Sequence, residues 1–338
     1  MITKSFPILT ARRTRGGFTL TELLVSVLVV TIIILMVAQL MNSATAVTRT
    51  GNKHIDTDTQ ARTVFDRMAM DFGRMLKRSD IDYYLKQNDP ARYPGHSGGH
   101  SQGHRGGPGQ QLNDQIAVYT QVPGYYPSGA QSPISLVAYR VNANSGSTNP
   151  TYFKLERMAK GLLWNGVSNQ TNPNAVYPIV FLPQTIAGIP SWSAAVNNDN
   201  SGASRDTDYE TIGPGVFRFE YYYILKNGKL TGNPWNDDVT LPRPHTLADF
   251  PADVEAIAVT IAVIDPASRS LLSNEELSDL AADMTDFTDQ RGRGPVHTGV
   301  IEAQWNTVVT DAVSSGSIPP AAASAIRIYS RYFELKTL

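Results

Sequence analysis

Cysteine is absent from all 338 residues. That excludes disulfides, thiol catalysis and thiolate-based zinc or iron–sulfur sites in one step. It leaves the redox compartment open, because a cysteine-free chain suits either side. Charge is sparse as well: 17% of residues are ionic against 41% hydrophobic, and the formal net charge is −1. A chain so close to neutral gives no bulk electrostatic case for a nucleic-acid partner. Long apolar runs are lacking, with one exception, and no internal repeat is visible. The length suits one large domain or two modest ones.

The exception lies in residues 12–36, "RRTRGGFTLTELLVSVLVVTIIILM". No charged residue occurs from 23 to 48, and the strongly apolar part, 23–41, is 19 residues long. As a helix it spans ~28 Å, about the hydrocarbon thickness of a bilayer. Its many Val and Ile residues are tolerable there, since a bilayer enforces helix whatever the aqueous propensity. Residues 1–17 carry four basic groups (Lys4, Arg12, Arg13, Arg15) and no acid. This bias predicts an N-terminus held in the cytoplasm and an exported remainder.

Three readings compete for this segment. A cleaved secretory signal would use Ala44-Thr45-Ala46, which resembles an A-x-A site, but its apolar core is ordinarily ~7–15 residues. A plain membrane anchor explains the length but neither the glycines nor Glu22, whose charge at the edge of an apolar run is costly. The third reading rests on "RGGFTLTELLVSVLVV". There Gly, Phe, Leu and Glu stand at set offsets before a charge-free span. This stretch resembles the N-terminus of type IV pilins and type II secretion pseudopilins.

The resemblance implies a leader ending at Gly17 and a mature chain starting at Phe18, cut and N-methylated by a prepilin peptidase. Glu22 becomes mature position five. It would pair with the Phe18 amine of a neighbouring subunit, so that both charges are compensated inside an apolar bundle. The alternative for Glu22 is snorkelling to the headgroups.

Downstream, Val64, Phe65, Met68, Phe72, Met75 and Leu76 recur at helical spacing, with Arg62, Asp66, Arg67 and Arg74 between them. This predicts an amphipathic helix with a core-facing stripe. Gly51 and Asn52 are expected to loosen or kink its junction with the apolar half. Residues 88–112 are rich in Gly, His, Pro and Ser and read as a flexible loop. Strands are expected at 115–122, 134–141, 151–157, 176–181, around 216–223, at 254–263 and near the end in "AIRIYSRYFEL". Asn227-Gly228 marks a turn. Ser273 and Glu276 form a capping box for a helix at 274–283, and 301–313 suits another. Residues 142–150 and 185–212 read as loops.

The expected class is α+β: one long N-terminal helix, transmembrane in its first half, packed on an antiparallel sheet with long loop insertions. The organisation is a leader (1–17), a membrane or filament-core helix (18–41), its amphipathic extension (42–80), a Gly/His-rich loop (81–113) and a β-rich head (114–338). With the leader removed, 321 residues remain (338 − 17), more than a usual major pilin. The order of features is similar to the J-type minor pseudopilins of type II secretion. "QARTVFDRMAMDFGRML", "FRFEYYYILKNGKLTGNPW" and "FPADVEAIAVTIAVID" carry that likeness. Related proteins of verrucomicrobial gene cassettes look alike too. The loop at 88–112, the material at 185–212 and the helical tail at 266–320 depart from the pattern.

Candidate chemistry is thin. Gly95-His96-Ser97-Gly98-Gly99 matches the G-x-S-x-G string, but that motif needs a strand before it and a helix after it, and here both flanks are loop. His96, His100 and His104 recur every four residues and would share a helical face able to bind Zn²⁺ or Ni²⁺, but the surrounding glycines oppose a helix. Asn197, Asp199, Ser201 and Asp208 loosely echo a calcium loop, with Gly202 at the turn; the usual first Asp and last Glu are missing. Asp283, Asp286 and Asp289 with Arg291 and Arg293 read as a solvated, charge-rich bend. No cofactor is expected, calcium being the only candidate, and no enzymatic activity. The expected partners are prepilin peptidase, other pilins or pseudopilins and the inner membrane, with the head in the periplasm. The rival is a membrane-anchored exported enzyme or binding protein.

Overall fold

The structure is a computed structural model that describes residues 17, 19–77, 113–125, 131–142, 152–161, 209–232, 254–287 and 298–335. Helix α1 (Leu20–Gly73) opens the chain. Strands β1 (Gln115–Thr120), β2 (Gly124–Tyr125), β3 (Gln131–Ser132), β4 (Ser135–Val141), β5 (Leu155–Gly161) and β6 (Tyr209–Gly213) follow. Then come β7 (Val216–Leu225), β8 (Leu230–Thr231) and β9 (Val254–Val263). Helices α2 (Pro266–Arg269), α3 (Asn274–Asp283), α4 (Val300–Ser314) and α5 (Pro320–Ala323) precede the last strand, β10 (Arg327–Glu334). The chain divides into two compact units, residues 1–52 and 53–338.

The class is α+β, as expected, but the strands form two sheets rather than one. The first runs β1-β4-β5-β2-β3 with β6 on β5; the second runs β10-β9-β7-β8. All pairings are antiparallel except the single bridge Tyr125↔Lys160 between β2 and β5. The strand expected at 151–157 lies four residues later, because residues 152–154 are spent on a turn in which Phe153 holds φ +48° and donates to Asn142 O at 2.7 Å. β6 falls inside the stretch read as loop; its Tyr-Glu-Thr-Ile-Gly sequence is short and half exposed, so no alternation announces it. The strand expected at 176–181 lies outside the described residues. Helical hydrogen bonding continues through Gly51 and Asn52, so these residues do not interrupt α1.

Core residues behave as their periodicity requires. Val64, Phe65, Met68 and Phe72 of α1 are buried in one cluster with β4, β7, β9 and β10; Met75 joins it from beyond the helix, which ends at Gly73 rather than running on through Leu76, because Met75 bridges to Thr120 of β1. Phe72 meets Tyr139 of β4 and Phe333 of β10 edge to face or tilted, with centroids 6.0 and 5.2 Å apart. The four-stranded sheet carries helix on both faces. Tyr329 and Arg331 of β10 reach Asp58 and Asp66 of α1 on one side, while Arg218 of β7 lies over Trp305 of α4 on the other. A sheet covered twice buries its polar residues too. Arg218 therefore donates to Met284 O (3.0 and 3.2 Å) and to Asp286, and Glu220 accepts from Phe287 N–H at 2.9 Å. Asp286, read from sequence as part of a solvated bend, thus shares a buried arginine with Glu220, whose Oε2 lies 3.6 Å from Arg218 Nη2; Asp283 is exposed, and Asp289, Arg291 and Arg293 lie outside the described residues.

The edge of β7 not covered by β8 is closed by the two residues that lead into β1. Asn113 accepts from Phe219 N–H (2.8 Å) and donates to Phe217 O (3.4 Å); Asp114 donates to Phe219 O (3.1 Å) and accepts from Tyr221 N–H (3.0 Å). Two side chains and one amide thereby imitate a strand and stitch the sheets together.

Helix α1 is fixed to the first sheet by a buried ion pair. Asp71 is fully buried and accepts from Arg157 Nε (2.7 Å) and Nη2 (3.0 Å), a bidentate fork, and from the Tyr139 hydroxyl. Burial and then the Asp71 charge hold the Tyr139 phenol well above its ordinary pKa. Tyr139 and Arg157 are cross-strand partners, so β4 and β5 present them together. Asp71→Ala would strand a guanidinium in the core and should cost about 3–5 kcal/mol. Chemical denaturation of the wild type and the variant in the same detergent measures it; a loss below about 1 kcal/mol would contradict this role for the pair.

Candidate functional site: the start of the apolar helix

The chain bends into helix at the residues that the sequence marks. Thr19 precedes the first helical residue, and its carbonyl accepts from Leu23 N–H at 3.2 Å, as an N-cap residue's does. Its hydroxyl oxygen accepts from Glu22 N–H at 3.3 Å, and Glu22 Oε2 accepts in return from Thr19 N–H at 2.9 Å. The same carboxylate oxygen accepts from the Thr19 hydroxyl at 2.9 Å. This is a reciprocal capping box, and it places a negative charge where the helix dipole favours one. Glu22 is exposed and has no cationic partner among the described residues.

The helix beyond it is apolar and uncovered. Leu23, Leu24, Val25, Leu28, Ile33 and Leu35 are each more than half exposed. Such a run is stable only when something apolar surrounds it. Its hydroxyls are already satisfied: Ser26 donates to Leu23 O and Thr31 to Val27 O, both at 2.8 Å, so neither needs water. The helix is long and apolar enough to cross a membrane, and no residue of its most hydrophobic window is buried by the described chain.

Of the residues singled out from sequence, Gly17 and Glu22 are described. Gly17 is exposed, and a side chain there would meet nothing within 4 Å among the described residues. Phe18 lies outside the described residues, as do Ser97, the histidines His96, His100 and His104, and the calcium-loop candidates Asn197, Asp199, Ser201 and Asp208. Among the described residues no group of three or more His, Asp or Glu is placed to hold a metal ion. Sequence reasoning missed Thr19. Its signal was present in Thr19-x-x-Glu22, the spacing of a capping box, but the apolar run drew attention to the membrane instead.

Against this geometry, one family model matches: the prokaryotic N-terminal methylation motif, over residues 12–38. The match takes in the basic cluster, Gly17, Thr19, Glu22 and most of the apolar run. Comparison with curated proteins and with solved structures finds no match. The motif and the uncovered apolar helix together support a membrane-anchored chain of the type IV prepilin and pseudopilin class.

The capping box makes a local prediction. Thr19→Val keeps shape and removes the hydroxyl, so the first helical turn should fray at a cost of about 1 kcal/mol. Amide exchange in micelles should then quicken at Glu22 and Leu23 and be unchanged beyond Val27. Unaltered exchange at Glu22 would refute the cap.

Proposed function

We propose that this protein is a minor pseudopilin-like subunit of a type II secretion or type IV pilus-like filament. A prepilin peptidase cuts after Gly17 and methylates the amine of Phe18, and the chain then serves assembly and interaction rather than catalysis. The observation that carries this reading is the coincidence of the methylation motif with the start of the helix: the cut would fall just ahead of the N-cap. The helix would then begin as part of the mature N-terminus, with no leader left to be carried into an apolar bundle.

Glu22 has two tasks in this account. Before assembly it caps its own helix and so sits at the membrane surface with its hydrogen bonds met. On entering a filament it exchanges the neutral donors of Thr19 for the Phe18 ammonium of a neighbour, a stronger, charge-assisted bond. The exchange adds a counter-charge without adding a contact elsewhere, which suits a step that must select register. Arg12, Arg13 and Arg15 hold the leader on the cytoplasmic side, where the peptidase acts, and residues 53–338 are exported as the periplasmic head. The likeness to J-type pseudopilins favours a minor position in the filament over a shaft built of many copies.

Two variants separate the tasks. Glu22→Gln retains an oxygen that can accept from Thr19 N–H, so the helix start survives while the charge is lost. Incorporation into filaments should fall at least tenfold in Glu22→Gln and Glu22→Val alike, with cleavage intact in both; normal incorporation of Glu22→Gln would sink the pairing idea. Gly17→Val should leave the leader attached, seen as an unshortened band in a membrane fraction. A shortened product would refute the cleavage site.

A further inference from the structure

The second sheet ends on β10, and its ladder shows which way that strand's backbone groups point. Leu335 N–H donates to Glu255 O at 2.8 Å, in register with the β10–β9 pairing. Antiparallel alternation then gives the backbone groups of Arg327, Tyr329, Arg331 and Phe333 to β9, and turns those of Ile328, Ser330, Tyr332 and Glu334 outward. The next ladder has the same parity: Ile264 N–H donates to Gly215 O at 2.9 Å, so even-numbered residues of β9 serve β7 and odd ones serve β10.

Among the described residues no backbone hydrogen bond reaches the outer groups of Ile328, Ser330, Tyr332 or Glu334. The other long edges are treated differently. Asn113 and Asp114 close β7. The C-terminal end of β1's outer edge is bridged by residues just past α1, where Leu76 N–H donates to Tyr119 O (2.8 Å) and Gln121 N–H to Arg74 O (3.0 Å). β10 pairs over eight residues without a bulge and carries no Pro. Its charges, Arg327, Arg331 and Glu334, discourage pairing with an arbitrary strand but not with one of complementary charge. A long regular edge of this kind is able to accept a further strand.

We infer that β10 receives an extended strand from a different protein subunit, and that this strand is acidic on the face that meets Arg327 and Arg331. Among the described residues Arg331 has Asp66 as its carboxylate partner, and both side chains are about half exposed at 41% and 59%. Arg327 has His54 Nε2 at 2.9 Å and no carboxylate partner among the described residues. A carboxylate across the strand from either arginine would be a favourable cross-strand pair, with β-branched or aromatic residues opposite Ile328 and Tyr332 on the other face. A second copy of β10 does not offer this. In antiparallel self-pairing through the outer edge, odd residues face odd ones, so the only acid of the strand, Glu334, never lies opposite an arginine.

The test uses the full chain in detergent micelles and, as probe, a capped synthetic octapeptide alternating Asp with Val. Residue-resolved amide exchange should slow roughly tenfold or more at Ile328, Ser330, Tyr332 and Glu334 when the peptide is added, and not at the odd positions already bonded to β9. A Lys-Val peptide should bind at least tenfold more weakly. Ser330→Pro removes one outward N–H and leaves the β9 backbone ladder intact, losing only the Ser330 Oγ–Thr260 Oγ1 hydrogen bond (2.7 Å); it should stay folded, as should Ser330→Ala, and lose the peptide binding that Ser330→Ala keeps. Arg331→Glu leaves the backbone alone and should reverse the preference between the two peptides, so it decides the matter if the proline variant does not fold. The inference is overturned if the four outer amides are slow before peptide is added, which would mean that the chain covers its own edge. It is also overturned if they slow with protein concentration alone, marking a second copy, or if the two peptides protect equally or not at all.

Discussion

A carboxylate surrounded by apolar side chains must find a cation or give up its charge, and Asp71 finds Arg157. The fork between them fixes one turn of α1 against β4 and β5, with the Tyr139 hydroxyl filling the remaining acceptor site. Around that turn the aromatic contacts fall into place: Phe72 against Tyr139 and Phe333, Phe65 against Phe333. The same helix thus touches both sheets, and Asn113 and Asp114 join the sheets directly. The head is built so that its helix cannot be lifted off without stranding a buried charge.

Glu22, on the same helix, meets the constraint differently. Its partners are neutral groups of Thr19, enough for a carboxylate at a membrane surface and too little for one inside an apolar bundle. The contrast is informative because the two carboxylates differ in what their own chain supplies. Asp71 is complete within the described residues. Glu22 is complete only as a cap, and the apolar side chains beside it are uncovered. A helix whose polar end is provisionally satisfied and whose apolar flank is bare is suited to exchanging a lipid environment for one of similar helices.

Much of this was legible in the sequence. The helical stripe from Val64 to Phe72, the aromatic strand at 216–225, the apolar strand at 254–263 and the Ser273–Glu276 capping box follow from period and cap chemistry alone. What failed had physical reasons. Two sheets were read as one because strand patterns report burial and not which strands pair. β6 was taken as loop because a five-residue strand on a sheet margin has no alternation to display. Asp71, Arg157 and Arg218 were not singled out, since a pattern of local spacing cannot see partners far away in the chain. Thr19 was passed over although its spacing to Glu22 is a local signal of the kind read correctly at Ser273.

The central claim is that the chain is cut between Gly17 and Phe18 and works through the terminus so formed. Intact mass and N-terminal sequencing of the protein taken from its native membrane test it most directly. The account predicts a chain beginning at N-methylated Phe18. A chain beginning at Val47, or an uncut one beginning at Met1, would contradict it and leave Glu22 as nothing more than the cap of an anchor helix.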